Sequence, residues 1–176
     1  MRTFRIAEIG SPIGRLVVAG TERGVARIVF PEELGALEEL ADEGEVVEDR
    51  RALAPVLREL REYFLGRRSS FTVGVDLSRV REFARRALEA TARIPYGSVA
   101  TYAEVAARAG SPRGARAAGN ALAGNPVPIL VPCHRVVPAG GGIGSYGGHE
   151  ERKEFLLRLE GSLEGSLREE PATLGA

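Results

Sequence analysis

The apolar residues of this chain change their spacing near residue 76, and that change divides what the chain can fold into. Before it, Gly14-Arg15-Leu16-Val17-Val18-Ala19 and Val25-Ala26-Arg27-Ile28-Val29-Phe30 are runs rich in β-branched residues, separated by Gly20-Thr21-Glu22-Arg23-Gly24. Such runs around a turn segment predict two strands joined as a hairpin. Residues 32–49 are acidic and carry little turn chemistry. Over 52–65, Leu53, Val56, Leu57, Leu60 and Phe64 recur at helical spacing; Gly66 stops that helix, and Phe71-Thr72-Val73-Gly74-Val75 reads as another strand. Residues 1–76 therefore read as a small α/β unit. They hold no pattern that points to chemistry, so a scaffold is expected.

Helical spacing dominates afterwards. Phe83, Ala87, Leu88 and Thr91 share one face, and Pro95-Tyr96-Gly97 breaks the chain. Thr101-Tyr102-Ala103-Glu104 has the spacing of a capping box, opening a short helix that Gly110 stops. Ser111-Pro112 is a second start signal, and Gly124-Asn125-Pro126 ends the helix that follows. Two short helices joined by a tight turn make a helix-turn-helix. On the second, Arg113, Arg116 and Asn120 stand at i, i+3 and i+7. That face suits a phosphate backbone and a narrow groove, although a solvated arginine surface has the same pattern. Gly114 and Gly119 are costly inside a helix, which suggests that something approaches its backbone closely. Residues 150–160 again read as a helix, and 162–176 as a flexible tail.

The net charge is zero, but its distribution is uneven: residues 1–76 carry 11 basic and 14 acidic side chains, residues 77–160 carry 12 and 7. No stretch approaches the roughly 18 apolar residues of a membrane-spanning helix, and the start lacks the apolar run of a secretory signal. A protein inside the cytoplasm, with no membrane partner, is expected. A single cysteine cannot form an internal disulfide, and a reducing compartment keeps it a thiol.

That cysteine ends an apolar run stiffened by three prolines, Val127-Pro128-Ile129-Leu130-Val131-Pro132-Cys133-His134-Arg135-Val136-Val137-Pro138. A thiolate is a nucleophile, and cationic or hydrogen-bonding neighbours favour it. A lone cysteine is also commonly a small inert core residue; the residues alone leave both readings open. The following loop, Gly140-Gly141-Gly142-Ile143-Gly144-Ser145-Tyr146-Gly147-Gly148, lacks the Lys-Ser/Thr of a phosphate-binding loop and reads as a pocket wall. Glu160 sits in a last helical turn, where the macrodipole disfavours an anion and invites a partner such as His134.

On Ile94-Pro95-Tyr96-Gly97, Val99-Ala100-Thr101-Tyr102, Gly124-Asn125-Pro126 leading into Pro132-Cys133-His134-Arg135-Val136-Val137, and Leu156-Leu157-Arg158-Leu159-Glu160-Gly161, the chain resembles the O6-alkylguanine-DNA alkyltransferases. The likeness runs from about 83 to 161 and, more weakly, through Ser11-Pro12-Ile13-Gly14 and the strands after it. It implies a ribonuclease-H-like α/β N-terminal domain (1–76) and a mostly α, helix-turn-helix, winged-helix-like C-terminal domain (77–161) that binds the minor groove. It also implies single-turnover, irreversible transfer of the alkyl group of O6-alkylguanine in double-stranded DNA to Cys133 by a monomer; the sequence leaves open whether O4-alkylthymine is a substrate too.

By the same resemblance His134 acts as base through a bridging water, Glu160 orients it, Asn125 braces the turn and Tyr102 gives a proton to the departing guanine. Arg116 enters the base stack as the nucleotide flips out, with Arg113, Asn120 and Arg135 on the DNA. Val136, Tyr146, Gly147 and Gly148 line the base pocket. No cofactor is implied. Gly147 departs from the family's pattern, which often has a Ser there. The absence of His and Cys before residue 133 gives no expectation of the zinc found in some relatives; a metal on Cys133, His134 and His149 is disfavoured by ligand spacing.

Three other readings are separable. A non-enzymatic lesion binder would not take up alkyl groups, a Cys-His hydrolase would turn over repeatedly, and a helix-turn-helix regulator would ignore Cys133→Ala.

Overall fold

The computed structural model describes residues 2–163. Its N-terminal part is a four-stranded sheet formed by β1 (Arg2–Ile9), β2 (Leu16–Thr21), β3 (Gly24–Val29) and β4 (Gly44–Glu48), in the order β3-β2-β1-β4. The β2–β3 hairpin is the one the β-branched runs predict, and β1 pairs antiparallel with β2. β2 is buried on both faces, which explains its uninterrupted apolar run. Leu16 and Val18 face the main core, with Leu57 and Leu60 of α2 (Ala54–Phe64). Val17 and Ala19 face the opposite way, into two small clusters with Ala36 and Leu40 of α1 (Gly35–Glu43).

Beyond β1, which the sequence reading did not mark as a strand, two N-terminal segments differ from it. The acidic stretch 32–49 is structured: a 3-10 turn at Pro31–Glu33, then α1, then β4 running parallel to β1. Ala36 and Leu40, one helical turn apart, were hidden among glutamates. The predicted strand over 71–75 reduces to one bridge, Val25 to Val75. Its amides go elsewhere: the buried Glu59 carboxylate accepts Thr72 N at 2.7 Å, Val73 N at 3.3 Å and the Thr72 hydroxyl. A carboxylate satisfies these backbone donors in place of a strand ladder.

The C-terminal part packs α3 (Glu82–Ala92), α4 (Tyr102–Arg108), α5 (Ala115–Ala123) and α6 (Glu150–Leu159). β5 (Ala100–Thr101) and β6 (Val136–Val137) form a short parallel pair that ties the start of α4 to the chain after Cys133. Thr101 caps α4, accepting Glu104 N at 3.1 Å, and its hydroxyl returns a bond to the Glu104 carboxylate at 3.2 Å. Gly110, at φ 88°, ends the first helix as expected. α5 begins later than Ser111-Pro112 implied. Gly114 N donates to Ser111 O at 2.8 Å, closing a turn, so Arg113 precedes the helix and Gly114 caps it. Only Gly119 lies within α5, and the expected close approach is not tight: an added Cβ there would stand 3.7 Å from the Tyr102 ring, an ordinary van der Waals distance.

One core runs through both parts, from Leu16 and Ile28 through Tyr63 to Leu88, Ile129 and Leu156. The edge strand β3 also bonds directly across, Ile28 N donating to Pro126 O at 2.8 Å. Among the described residues no helix is long and apolar enough to cross a membrane. Of the expected tail, Ser162 and Leu163 continue in a turn, and 164–176 lie outside the described residues.

Candidate active site

The turn before Cys133 is held by one side chain. Asn125 Nδ2 donates to Val131 O at 2.9 Å, while its Oδ1 accepts Val127 N at 3.0 Å. Between them Ile129, buried and β-branched, sits at φ 76°, a conformation such a residue adopts only where its surroundings impose it. The chain then enters a single 3-10 turn, Cys133–Arg135, with Arg135 N donating to Pro132 O at 2.9 Å.

Cys133 is partly exposed at a cleft of about 180 Å³ that Tyr102, Gly119, Asn125, Tyr146 and Gly147 also line. Burial pushes the thiol above its ordinary pKa; the Asn125 amide, the Lys153 ammonium and the Tyr146 hydroxyl oppose this without overcoming it. The resting group is thus a thiol, and a base must take its proton. The Tyr146 hydroxyl is buried and interacts with Cys133 without a well-aligned hydrogen bond among the described residues. Tyr102 is held above the usual tyrosine pKa by burial and by Cys133, so it stays a proton donor.

The base is legible in the buried network behind the thiol. His134 has no exposed surface, and its Nε2 lies 2.7 Å from Glu160 Oε2. Burial lowers the pKa of the imidazole despite that carboxylate, so it is neutral at pH 7. Burial would raise Glu160, but hydrogen bonds from His134, Arg135 and Tyr63 outweigh it and bring the group down to about 2. An ionised carboxylate only accepts, which places the single imidazole proton on Nε2. Nδ1 is left as a basic lone pair with no hydrogen-bond partner among the described residues.

Arg135, expected on the DNA, is instead turned into the protein interior. Its Nε and Nη2 donate to Glu160 at 2.8 and 3.0 Å, its Nη1 donates to Ile94 O at 2.7 Å, and 7% of the residue is exposed. All its donor directions are turned inward to balance a buried carboxylate, a role its position beside Cys-His did not reveal. Val136 is likewise buried, its carbonyl accepting Lys153 Nζ at 2.6 Å, and neither it nor Gly148 is among the cleft's lining residues. Gly147 does line it, at φ 59°. Arg113, Arg116 and Asn120 are all exposed, the last two on α5.

Sequence reasoning missed four contributors. Lys153, the chain's single lysine, is 1% exposed beneath the cleft, and burial lowers it to about 8. Phe30 and Glu32 wall the cleft from the N-terminal part: Arg152 stacks 4.4 Å over the Phe30 ring and makes a two-pronged ion pair with Glu32. Tyr63 donates to Glu160 Oε2 at 2.5 Å. The scaffold expected of residues 1–76 therefore reaches the site. His149 turns to Glu32 and Glu151, at 3.3 and 3.2 Å, and the described residues hold no cluster of three or more metal-ligating side chains.

Residues 5–77 match the family described as 6-O-methylguanine DNA methyltransferase, ribonuclease-like domain, and residues 82–162 match its DNA binding domain. The chain belongs to the 6-O-methylguanine DNA methyltransferase family. Among relatives of this methyltransferase family, the methylated-DNA--protein-cysteine methyltransferase of Mycolicibacterium paratuberculosis is 39% identical over 86% of this chain and 89% of its own. That of Methanosarcina acetivorans is 39% identical over 86% and 95%. The crystal structure of Mycobacterium tuberculosis OGT in complex with DNA superposes with a TM-score of 0.79 at 37% identity, covering 91% of this chain and 93% of that one. The methyltransferase fold is thus a ribonuclease-like domain followed by a DNA-binding domain.

Proposed function

We propose that this chain repairs DNA by direct reversal, taking the alkyl group of O6-alkylguanine onto Cys133 in a single irreversible event. The observation that carries the reading is the Cys133 thiol at an open cleft, backed by a neutral imidazole whose tautomer Glu160 fixes. His134 Nδ1 accepts the thiol proton through a bridging water. Sγ attacks the alkyl carbon, the carbon–O6 bond breaks, and its electron pair leaves with guanine. Tyr102 protonates the departing base and regains the proton released by the thiol, so the products are guanine and a neutral thioether. A thioether is not readily hydrolysed, so the protein is spent.

The helix-turn-helix of α4 and α5 serves as a winged-helix-like minor-groove reader on a ribonuclease-H-like N-terminal domain, with Arg116 filling the stack behind the flipped nucleotide and Arg113 and Asn120 on the backbone. One monomer acts on one lesion in chromosomal DNA, in the cytoplasm; O4-alkylthymine presents a similar alkyl–oxygen bond and is a further substrate. The test is the intact mass of the protein after incubation with duplex DNA carrying one O6-methylguanine. A stoichiometric gain of one methyl group, absent from Cys133→Ala, is expected. Tight lesion-selective binding without any gain would make the protein a damage sensor and overturn the reading.

A further inference from the structure

We propose that Tyr63, contributed by the N-terminal part, is a positioning residue for alkyl transfer: its hydroxyl fixes Glu160 against His134 and so couples the reactivity of Cys133 to the docking of the two parts. This rests on the transferase reading above. Glu160 Oε2 is shared by three donors, Tyr63 OH at 2.5 Å, His134 Nε2 at 2.7 Å and Arg135 Nη2 at 3.0 Å. Two of them come from the Cys133–Arg135 turn. Tyr63 is the one that comes from α2, 97 residues away from Glu160 in the chain.

Tyr63 has no exposed surface, and its ring is wedged among Phe64, Phe71 and Tyr96 with centroids 5.4, 5.4 and 6.3 Å away. A hydroxyl on so confined a ring has little freedom to leave the carboxylate. Burial and the Glu160 charge hold its pKa far above the usual tyrosine range, so it donates at every accessible pH. A donor to a carboxylate also withdraws charge from it, weakening its pull on the His134 Nε2 proton. Removing that donor lets Glu160 stabilise imidazolium more strongly, so His134 holds a proton to higher pH and Nδ1 is blocked more of the time.

The test compares Tyr63→Phe with the unaltered protein, using uptake of the benzyl group from free O6-benzylguanine followed by mass across pH. Isotope-labelled histidine NMR on the two histidines is run in parallel. Expected for Tyr63→Phe are a rate about tenfold lower at neutral pH, as loss of a hydrogen bond to a charged group produces, a rising limb moved to higher pH, and His134 signals departing from a pure Nε2–H tautomer. Phe71→Leu trims the packing around Tyr63 and leaves its hydroxyl; it should lower thermal stability without moving the limb or the His134 signals. Tyr63→Phe with unchanged limb and His134 signals, or Phe71→Leu shifting both equally, overturns the proposal. An unaltered protein that never takes up the benzyl group would instead count against the transferase reading, and the His134 spectra would still decide the role of Tyr63.

Discussion

Lys153 carries a charge into the core where Leu156 and Leu157 pack, and its ammonium is anchored on the Val136 carbonyl rather than on a carboxylate. Among the described residues it makes no ion pair, and a cation beneath a nucleophile favours the thiolate. Replacing it in Lys153→Met should raise the Cys133 pKa and slow alkylation by iodoacetamide about tenfold at neutral pH, with the gap closing as pH rises. Glu160 makes a different case. Glu160→Gln removes the charge that orients His134, and the same carboxylate neutralises the buried Arg135. The variant should lose on the order of 3 kcal/mol in urea unfolding, as well as thiol reactivity. Arg116 is exposed on α5 and is not among the residues that line the cleft. Arg116→Ala should therefore slow repair in duplex DNA far more than reaction with free O6-benzylguanine; equal slowing of both would remove its role in the base stack.

Among the elements, those whose signals are local were legible. The hairpin, α2, α3, α6 and the capped start of α4 announce themselves through periodicity and capping within a dozen residues. α1 and β4 did not, because only Ala36 and Leu40 mark the buried side of an otherwise acidic helix. The strand predicted over 71–75 failed because a distant side chain, Glu59, takes the amides a ladder would use. The turn over 125–131 lies between these cases: its asparagine and prolines were visible, the strained Ile129 was not. Asn125→Ala would orphan Val127 N and take from Val131 O one of its two donors, leaving Cys133 N, at a cost of about 1–3 kcal/mol. A thermal melt should register that loss, and repair should fall further than stability because the turn aims Cys133.

At the scale of the whole molecule, two carboxylates fasten the N-terminal part to the C-terminal part. Glu32 pairs with Arg152, whose hydrogen bond is the main cause of its fall to about 2, and Glu160 receives Tyr63. Both lie below the ordinary value of 4.5, so each contributes stability that is complete above pH 4.5 and lost as pH falls toward 2. Urea midpoints should decline through that window, and Glu32→Gln should flatten part of the decline. Cys133, His134, Asn125 and Glu160 could be picked out from the sequence because they lie in one short motif and one helix end. Phe30, Glu32 and Tyr63 could not, since no periodicity links them to residues more than ninety positions away.

The bond from Ile28 to Pro126 has one more consequence. β3 is an edge strand, and on its outer side Val25 N and O bond to Gly74 and Asp76 while Ile28 N bonds to Pro126. An edge left unpaired is a template for another chain. If the protein were cut near residue 76 and the halves produced separately, the sheet half would carry a partly bare border and would tend to self-associate along it. Joining the halves covers that border at Ile28.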